Sequence, residues 1–239
     1  MEEKLLLLIN HRWTGHWLDA LMALMSSLDF WGIPLMILAI GVAAFGGFRA
    51  RAMLVALGLT ILITDCGVGN GLKHLVGRPR PNEVVAGVRI VSLNLHHPIL
   101  RLLAPLAGPA KEPREPKERT LEKPGDAGWI RVGSSRPDPD NARGQSFPSN
   151  HTLNNFCAAM VLTCFYRRFG WLSFIPASLV AYSRIYVGSH WPSDVFISIV
   201  MAFGMSFILL AAYEYLWRKL GPGLLPRVYV RHPNLWASA

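Results

Sequence analysis

Charge is scarce in this chain, and the scarcity excludes most soluble folds. Of its 239 residues only 16% are Asp, Glu, Lys or Arg, while 51% are hydrophobic, against roughly 25% charged in an ordinary soluble domain. Cysteine is nearly absent as well. Cys66, Cys157 and Cys164 all fall inside apolar segments, and an odd count placed there excludes a disulfide framework and reads as buried packing. None is followed six positions later by Arg, so a cysteine-and-arginine phosphate loop is excluded too. The N-terminus lacks the basic n-region of a signal peptide, since Glu2 and Glu3 precede Lys4. The apolar runs themselves are expected to do the targeting. No internal repeat is visible. No basic stripe interleaves with aromatics, so the net charge of +9 is not that of a nucleic-acid binder.

What the chain has is long apolar runs, at about 30–48, 52–73, 151–166, 171–187 and 192–217. They predict an all-α, polytopic membrane bundle of five to six transmembrane helices. Two runs are short against the roughly 20 residues that cross a bilayer, as expected where one end opens into a wet site at head-group depth. Residues 1–29 form a weaker element, broken by His11-Arg12 and Gly15-His16. Trp17, Leu21, Leu24 and Leu28 recur there at helical spacing, predicting an interfacial helix or a first membrane helix. Residues 30–217 make up the membrane domain and 218–239 a cytoplasmic tail.

Basic residues orient the bundle. Arg49 and Arg51, Arg167 and Arg168, and Arg218 and Lys219 flank the runs on one side, which the positive-inside rule makes cytoplasmic. The opposite ends carry Lys73, Arg80, His151, Arg184, His190 and Asp194. Residues 82–147 form a long extracytoplasmic insertion. Its stretch 84–106 is apolar enough to pack on the membrane or cover a site, and 110–119 mixes proline with charge as an extended linker does.

Those polar ends fall into three stretches: Lys73-x6-Arg80-Pro81, Pro148-Ser149-Asn150-His151 and Ser183-Arg184-x5-His190-x3-Asp194. Together they supply three fixed cations, two histidines, a carboxylate and a hydroxyl. An anionic phosphate end calls for such a set, because its transition state spreads negative charge over the equatorial oxygens. The pattern resembles the PAP2 family (type 2 phosphatidic acid phosphatases), with signatures K-x6-R-P, P-S-G-H and S-R-x5-H-x3-D. The first and third match without departure. The second carries Asn150 where the family usually has Gly.

The resemblance covers about residues 52 to 217, with the insertion unmatched. It implies a membrane lipid phosphatase with His190 as nucleophile, forming a phosphohistidine. Asp194, in the first turn of a helix begun by Pro192, is expected to orient His190 and to cap that helix. His151 is the expected general acid and later base. Lys73, Arg80 and Arg184 are expected to hold the phosphate, with Ser149 and Asn150 at a helix N-terminus. Asn can adopt a backbone conformation reserved for Gly; if room is what matters, its amide must point away or touch the substrate. Asp65 stands two turns before Lys73, where orienting Lys73 and a plain interhelical hydrogen bond both fit.

No cofactor is implied. His96-His97 lack acidic or Cys partners at metal spacing, and Asp138-Pro-Asp140 reads as a turn. The implied partner is a phosphorylated membrane lipid, with oligomeric state left open. Undecaprenyl diphosphate on the outer face of the bacterial cytoplasmic membrane is the first expectation. Phosphatidate, phosphatidylglycerol phosphate and lipid A phosphates are alternatives. A lipid phosphotransferase fits the same motifs. A non-catalytic lipid-binding or transport protein is the reading from another class, which the intact His190, Asp194 and His151 argue against.

Overall fold

A computed structural model of the chain describes residues 1–94, 128–138, 142 and 144–236. The proposed linker at 110–119, the rest of the apolar stretch beyond residue 94 and His96-His97 lie outside the described residues.

The N-terminal element is two short helices. Glu2–Leu7 (α1) runs on through a π-helical turn, Leu8–Arg12, and His16–Ser26 (α2) follows. Neither approaches the length of a membrane span. Both face inward instead, burying Leu6, Ile9, Met22 and Ala23. Next comes Leu28–Phe45 (α3), started by Ser27, whose hydroxyl accepts from the Phe30 N–H at 3.3 Å. This helix buries no residue, and Leu35, Ile37, Leu38 and Ile40 are all exposed. A helix apolar on every side and packed on almost nothing needs an apolar surround.

Phe48–Leu62 (α4) continues through a π-helical stretch, Ile63–Gly69, into Asn70–Val76 (α5). Gly77, at φ 60°, ends that helix in the left-handed conformation before the Pro79 and Pro81 breakers are reached. Pro81–Val84 (α6) is a single turn. The remaining helices are Asn150–Phe165 (α7), Phe174–Tyr186 (α8), Pro192–Leu224 (α9) and Pro226–Arg231 (α10). A 3-10 turn, Gly170–Ser173, leads into α8.

The fold is mostly helical, but not all-α. Inside the insertion Arg89–Leu93 (β1) pairs antiparallel with Ile130–Ser134 (β2), Val91 opposite Val132. Val88, Val91 and Ile130 are buried against α2, which turns the apolar start of the insertion into a half-buried ribbon. Each strand is only five residues, and they lie too far apart in sequence to give a hairpin signal.

Among the described residues, three stretches are long and apolar enough to cross a membrane: Leu28–Phe45, Phe48–Val84 (interrupted at Gly77) and Pro192–Leu224. Helices α7 and α8, of 16 and 13 residues, fall below the roughly 20 needed. Helix α7 lies at the centre, against α4, α8 and α9. Its Leu153, Phe156, Cys157 and Ala159 form the main core with Ala181, Ile185 and Tyr186 of α8 and Val195 and Ala202 of α9. Chain direction alternates from α5 to α7, α8 and α9. The end of α5, the start of α7, the end of α8 and the start of α9 therefore meet at one end of the bundle. The basic clusters collect at the other. There Arg49 donates to the Trp236 carbonyl at 3.1 Å and lies over the Tyr166 ring, while Arg218 pairs with Glu214 at 2.7 Å.

Candidate active site

Helix α8 brings Arg184 to the shared end, and the chain then reverses at Gly188, at φ 70°. The N–H groups of Ser189 and His190 both donate to the Arg184 carbonyl, at 3.1 and 3.2 Å, folding His190 back beside Arg184. His190 is 2% exposed, and its Nδ1 lies 2.6 Å from the Ser146 carbonyl oxygen. A carbonyl only accepts, so Nδ1 must hold the ring proton and Nε2 the lone pair. Burial, then the positive charges of Arg184 and Arg80, push His190 well below the usual imidazole range, against the opposing Ser146 bond. The imidazole is thus neutral, in one tautomer, with Nε2 available.

Helix α9 starts at Pro192 as the sequence predicts, and Asp194 caps it by accepting from the Trp191 N–H at 3.2 Å. The expected direct bond from Asp194 to His190 is not made. One carboxylate oxygen accepts from Arg78 at 2.6 Å, and the other from the Ser146 hydroxyl at 2.5 Å. With both oxygens engaged, the carboxylate reaches the imidazole only through Ser146, which bonds Asp194 by its hydroxyl and His190 by its carbonyl. Ser146 and Asp194 are both fully buried.

Arg78 completes this corner. It donates also to the Ser193 hydroxyl at 2.7 Å and to Glu2 at 2.8 Å, and lies 5.3 Å from the centre of the Trp191 ring. Glu2 in turn accepts from the Ser193 N–H at 3.0 Å and from its hydroxyl, placing a carboxylate at the positive end of α9. Sequence reasoning passed over Arg78, Ser146, Glu2 and Gly188. Arg78 and Gly188 sit at variable positions inside motifs. Ser146, three residues before Ser149, carried only its adjacency as a signal.

The other candidates converge on the same place. Ser149 precedes α7 and is fully buried; its N–H donates to Ser198 at 2.9 Å and its hydroxyl pairs with Thr152 at 3.0 Å. His151 follows in the first turn of α7, close enough to feel the charges of Arg184, Lys73 and Arg80. Lys73 is coupled to Arg80, Asp65 and Arg184 in the same way. Arg184 is buried, and one terminal nitrogen contacts the hydroxyl and carbonyl of Ser26 at the end of α2. Its buried Nε has no hydrogen-bond partner among the described residues. Three cations held this close repel one another, which an anion between them would relieve. The Asn150 amide does not contact this cluster through its nitrogen, which donates to Asp65 at 2.6 Å.

An apolar helical bundle with such a cluster at one end defines an integral membrane protein with a concentration of positive charge where its motifs meet. The particular family follows from comparison: the PAP2 superfamily model matches residues 50–218, and the chain belongs to that family. Undecaprenyl-diphosphatase BcrC of Bacillus subtilis is 37% identical over 68 residues, 28% of this chain and 35% of that one. The lipid A 4'-phosphatase of Bacteroides thetaiotaomicron is 28% identical over 200 residues, 82% of this chain and 69% of that one. The match spans less than half the length of the undecaprenyl-diphosphatases of Bacillus and of Sulfolobus acidocaldarius, at 35% and 31%. The crystal structure of Aquifex aeolicus LpxE shares the fold, with a TM-score of 0.51 at 21% identity over 88% of this chain and 94% of that one.

Proposed function

We propose that this protein is a membrane lipid phosphatase that removes phosphate through a phosphohistidine at His190. The observation carrying the reading is the state of His190: buried and neutral, with Nδ1 bound to a carbonyl, Nε2 left with the lone pair, and the ring within reach of the Arg184 charge. In this mechanism Nε2 attacks phosphorus in line with the leaving oxygen. Arg184, Arg80 and Lys73 hold the non-bridging oxygens and neutralise the developing charge. The N–H groups at the start of α7 add donors, and Ser149, engaged by Ser198 and Thr152, anchors that turn. His151, protonated once the anionic substrate offsets the charges of Arg184, Lys73 and Arg80 around it, gives its proton to the leaving oxygen; it then takes a proton from the water that attacks phosphorus as the phosphorus–nitrogen bond to His190 breaks. Ser146 and Asp194 hold His190 in its tautomer and support the cationic adduct. Metal is not required, because the three side-chain cations supply the charge a metal would bring.

The substrate is undecaprenyl diphosphate in the first reading, hydrolysed to undecaprenyl phosphate and phosphate at the outer face of a bacterial cytoplasmic membrane. The short, higher-identity matches to undecaprenyl-diphosphatases support it. Lipid A phosphate is the second reading, favoured by the match over 82% of the chain. Purified protein in matched detergent should release phosphate from undecaprenyl diphosphate with kcat/KM at least tenfold above that for phosphatidate, phosphatidylglycerol phosphate and lipid A. A tenfold preference for lipid A would move the assignment to the second reading. Release from none of the four would remove the phosphatase reading. His190→Ala, His151→Ala and Asp194→Asn are each expected to cut kcat at least about 100-fold while the protein stays monodisperse. Near-normal turnover in His190→Ala would sink the assigned mechanism.

A further inference from the structure

The start of α7 is tied to the Lys73-bearing helix by a polar cluster outside the mechanism above. Asp65 lies in the π-helical stretch Ile63–Gly69, and one of its oxygens accepts from two amides of α7. Asn150 donates at 2.6 Å and Asn154 at 3.2 Å. The Asn154 side-chain amide oxygen accepts from the hydroxyl of fully buried Thr64 at 3.0 Å. Backbone shape matches these contacts. A Cβ at Gly69 would stand 2.8 Å from the Asn150 amide oxygen and 2.9 Å from the Thr64 carbonyl, so only glycine lets Asn150 sit there. The wide turn of a π-helix is a recurrent device at functional sites, because it displaces side chains from the ordinary helical register. Here it points Asp65 at the first turn of α7, where Asn150 is flanked by Ser149 and His151.

We propose that Asp65 and Asn150 form a positioning pair that fixes the first turn of α7, and with it His151 and Ser149, against the helix that carries Lys73. The pair touches no reacting atom. Asn150 thus turns its amide nitrogen away from the phosphate, toward a carboxylate in an apolar span that also accepts from Asn154 and feels the charge of Lys73. Hydrogen bonding carries the effect. Removing one partner leaves the other stranded, whereas removing both leaves only the loss of alignment. The inference rests on the phosphatase reading, since His151 and Lys73 have their roles only there.

A double-mutant cycle tests it, with undecaprenyl diphosphate as the probe and His190→Ala as the reference for the underlying reading. Asn150→Gly, which restores the residue the PAP2 signature usually carries, and Asp65→Ala should each lower kcat about tenfold. KM should move less than threefold, because Arg80 and Arg184 still hold the phosphate. The double variant should also fall about tenfold, and not a hundredfold, a coupling of about 1.4 kcal/mol. Asp65→Asn keeps the acceptor oxygen and should stay within threefold of the parent, which also covers the case of Asp65→Ala failing to fold. The pair is overturned if His190→Ala is inactive but Asn150→Gly turns over within twofold of the parent. It is equally overturned if the losses multiply in the double variant, or if the losses appear in KM alone. Activity surviving in His190→Ala would overturn the phosphatase mechanism instead.

Discussion

At the scale of single residues, the proposed role of His190 needs its Nδ1 proton held and its charge suppressed, and the two tasks fall to different neighbours. The Ser146 carbonyl does the first, at 2.6 Å; burial and Arg184 do the second. A pH dependence follows. Because His190 is depressed below its ordinary value of 6.5, the neutral form that the proposed mechanism needs persists at pH values where a free imidazole is protonated. The acid limb of kcat/KM should therefore lie below pH 6.5, and a limb at or above that value would contradict the assigned environment. Ser146→Ala keeps the carbonyl and deletes the hydroxyl that engages Asp194. It is expected to lower kcat about tenfold with little change in KM, and an unchanged kcat would remove Ser146 from the alignment of His190. Arg78→Ala should cost more in stability than in binding. It strips a fully buried carboxylate of its only cationic partner among the described residues, a defect of about 3–5 kcal/mol, measurable as a lowered Tm in detergent. The candidate residues of the three motifs were legible in sequence because fixed spacings carried them, though the Asn150 amide nitrogen, expected near the phosphate, donates to Asp65 instead. Ser146 and Arg78 were not, since a bond formed through a main-chain carbonyl, or made across 116 positions, leaves no local pattern.

At the scale of elements, the ribbon and the N-terminal helices are what hold the third motif in shape. Asn10, fully buried, donates to the carbonyls of Arg89 and Tyr186 at 2.8 and 2.7 Å and accepts from the Arg89 N–H at 2.7 Å. Arg89 pairs with Asp19 through two contacts of 2.9 and 2.6 Å, and the Tyr186 hydroxyl donates to Asp19 at 2.5 Å. One polar staple thus joins the π turn after α1, α2, β1 and the end of α8, immediately before the His190 loop. Gly188 stands at the join. A Cβ there would meet Val88 at 2.4 Å and the Arg89 carbonyl at 3.0 Å, at a φ of +70° that L-residues rarely adopt. Gly188→Ala should destabilise by about 1–3 kcal/mol and displace His190, lowering both Tm and kcat. Wild-type behaviour would show that the ribbon does not brace the loop. The helices were legible from their apolar runs. The ribbon was not, because its two short strands are brought together by packing on α2 rather than by a tight turn.

At the scale of the whole molecule, alternating chain direction sends all three motifs to one end and the arginine clusters to the other. The positive-inside rule assigns the arginine end to the cytoplasm. In a cysteine-free background, a cysteine at Ser134, exposed at the end of β2, should react with an impermeant thiol reagent in intact cells, and one at Arg168 should not. The reverse pattern would refute the outward-facing site. Activity should survive EDTA and be inhibited by vanadate, whose trigonal-bipyramidal form fits a pocket of three cations. Loss in EDTA with recovery on Mg²⁺ would show that these cations do not suffice. The covalent step proposed at His190 is open to direct trapping. Purified protein mixed with undecaprenyl diphosphate labelled with ³²P at the terminal phosphate, and quenched in alkali during turnover, should carry an alkali-stable, acid-labile label in wild type and none in His190→Ala. An unlabelled wild type, or equal labelling in His190→Ala, would contradict it.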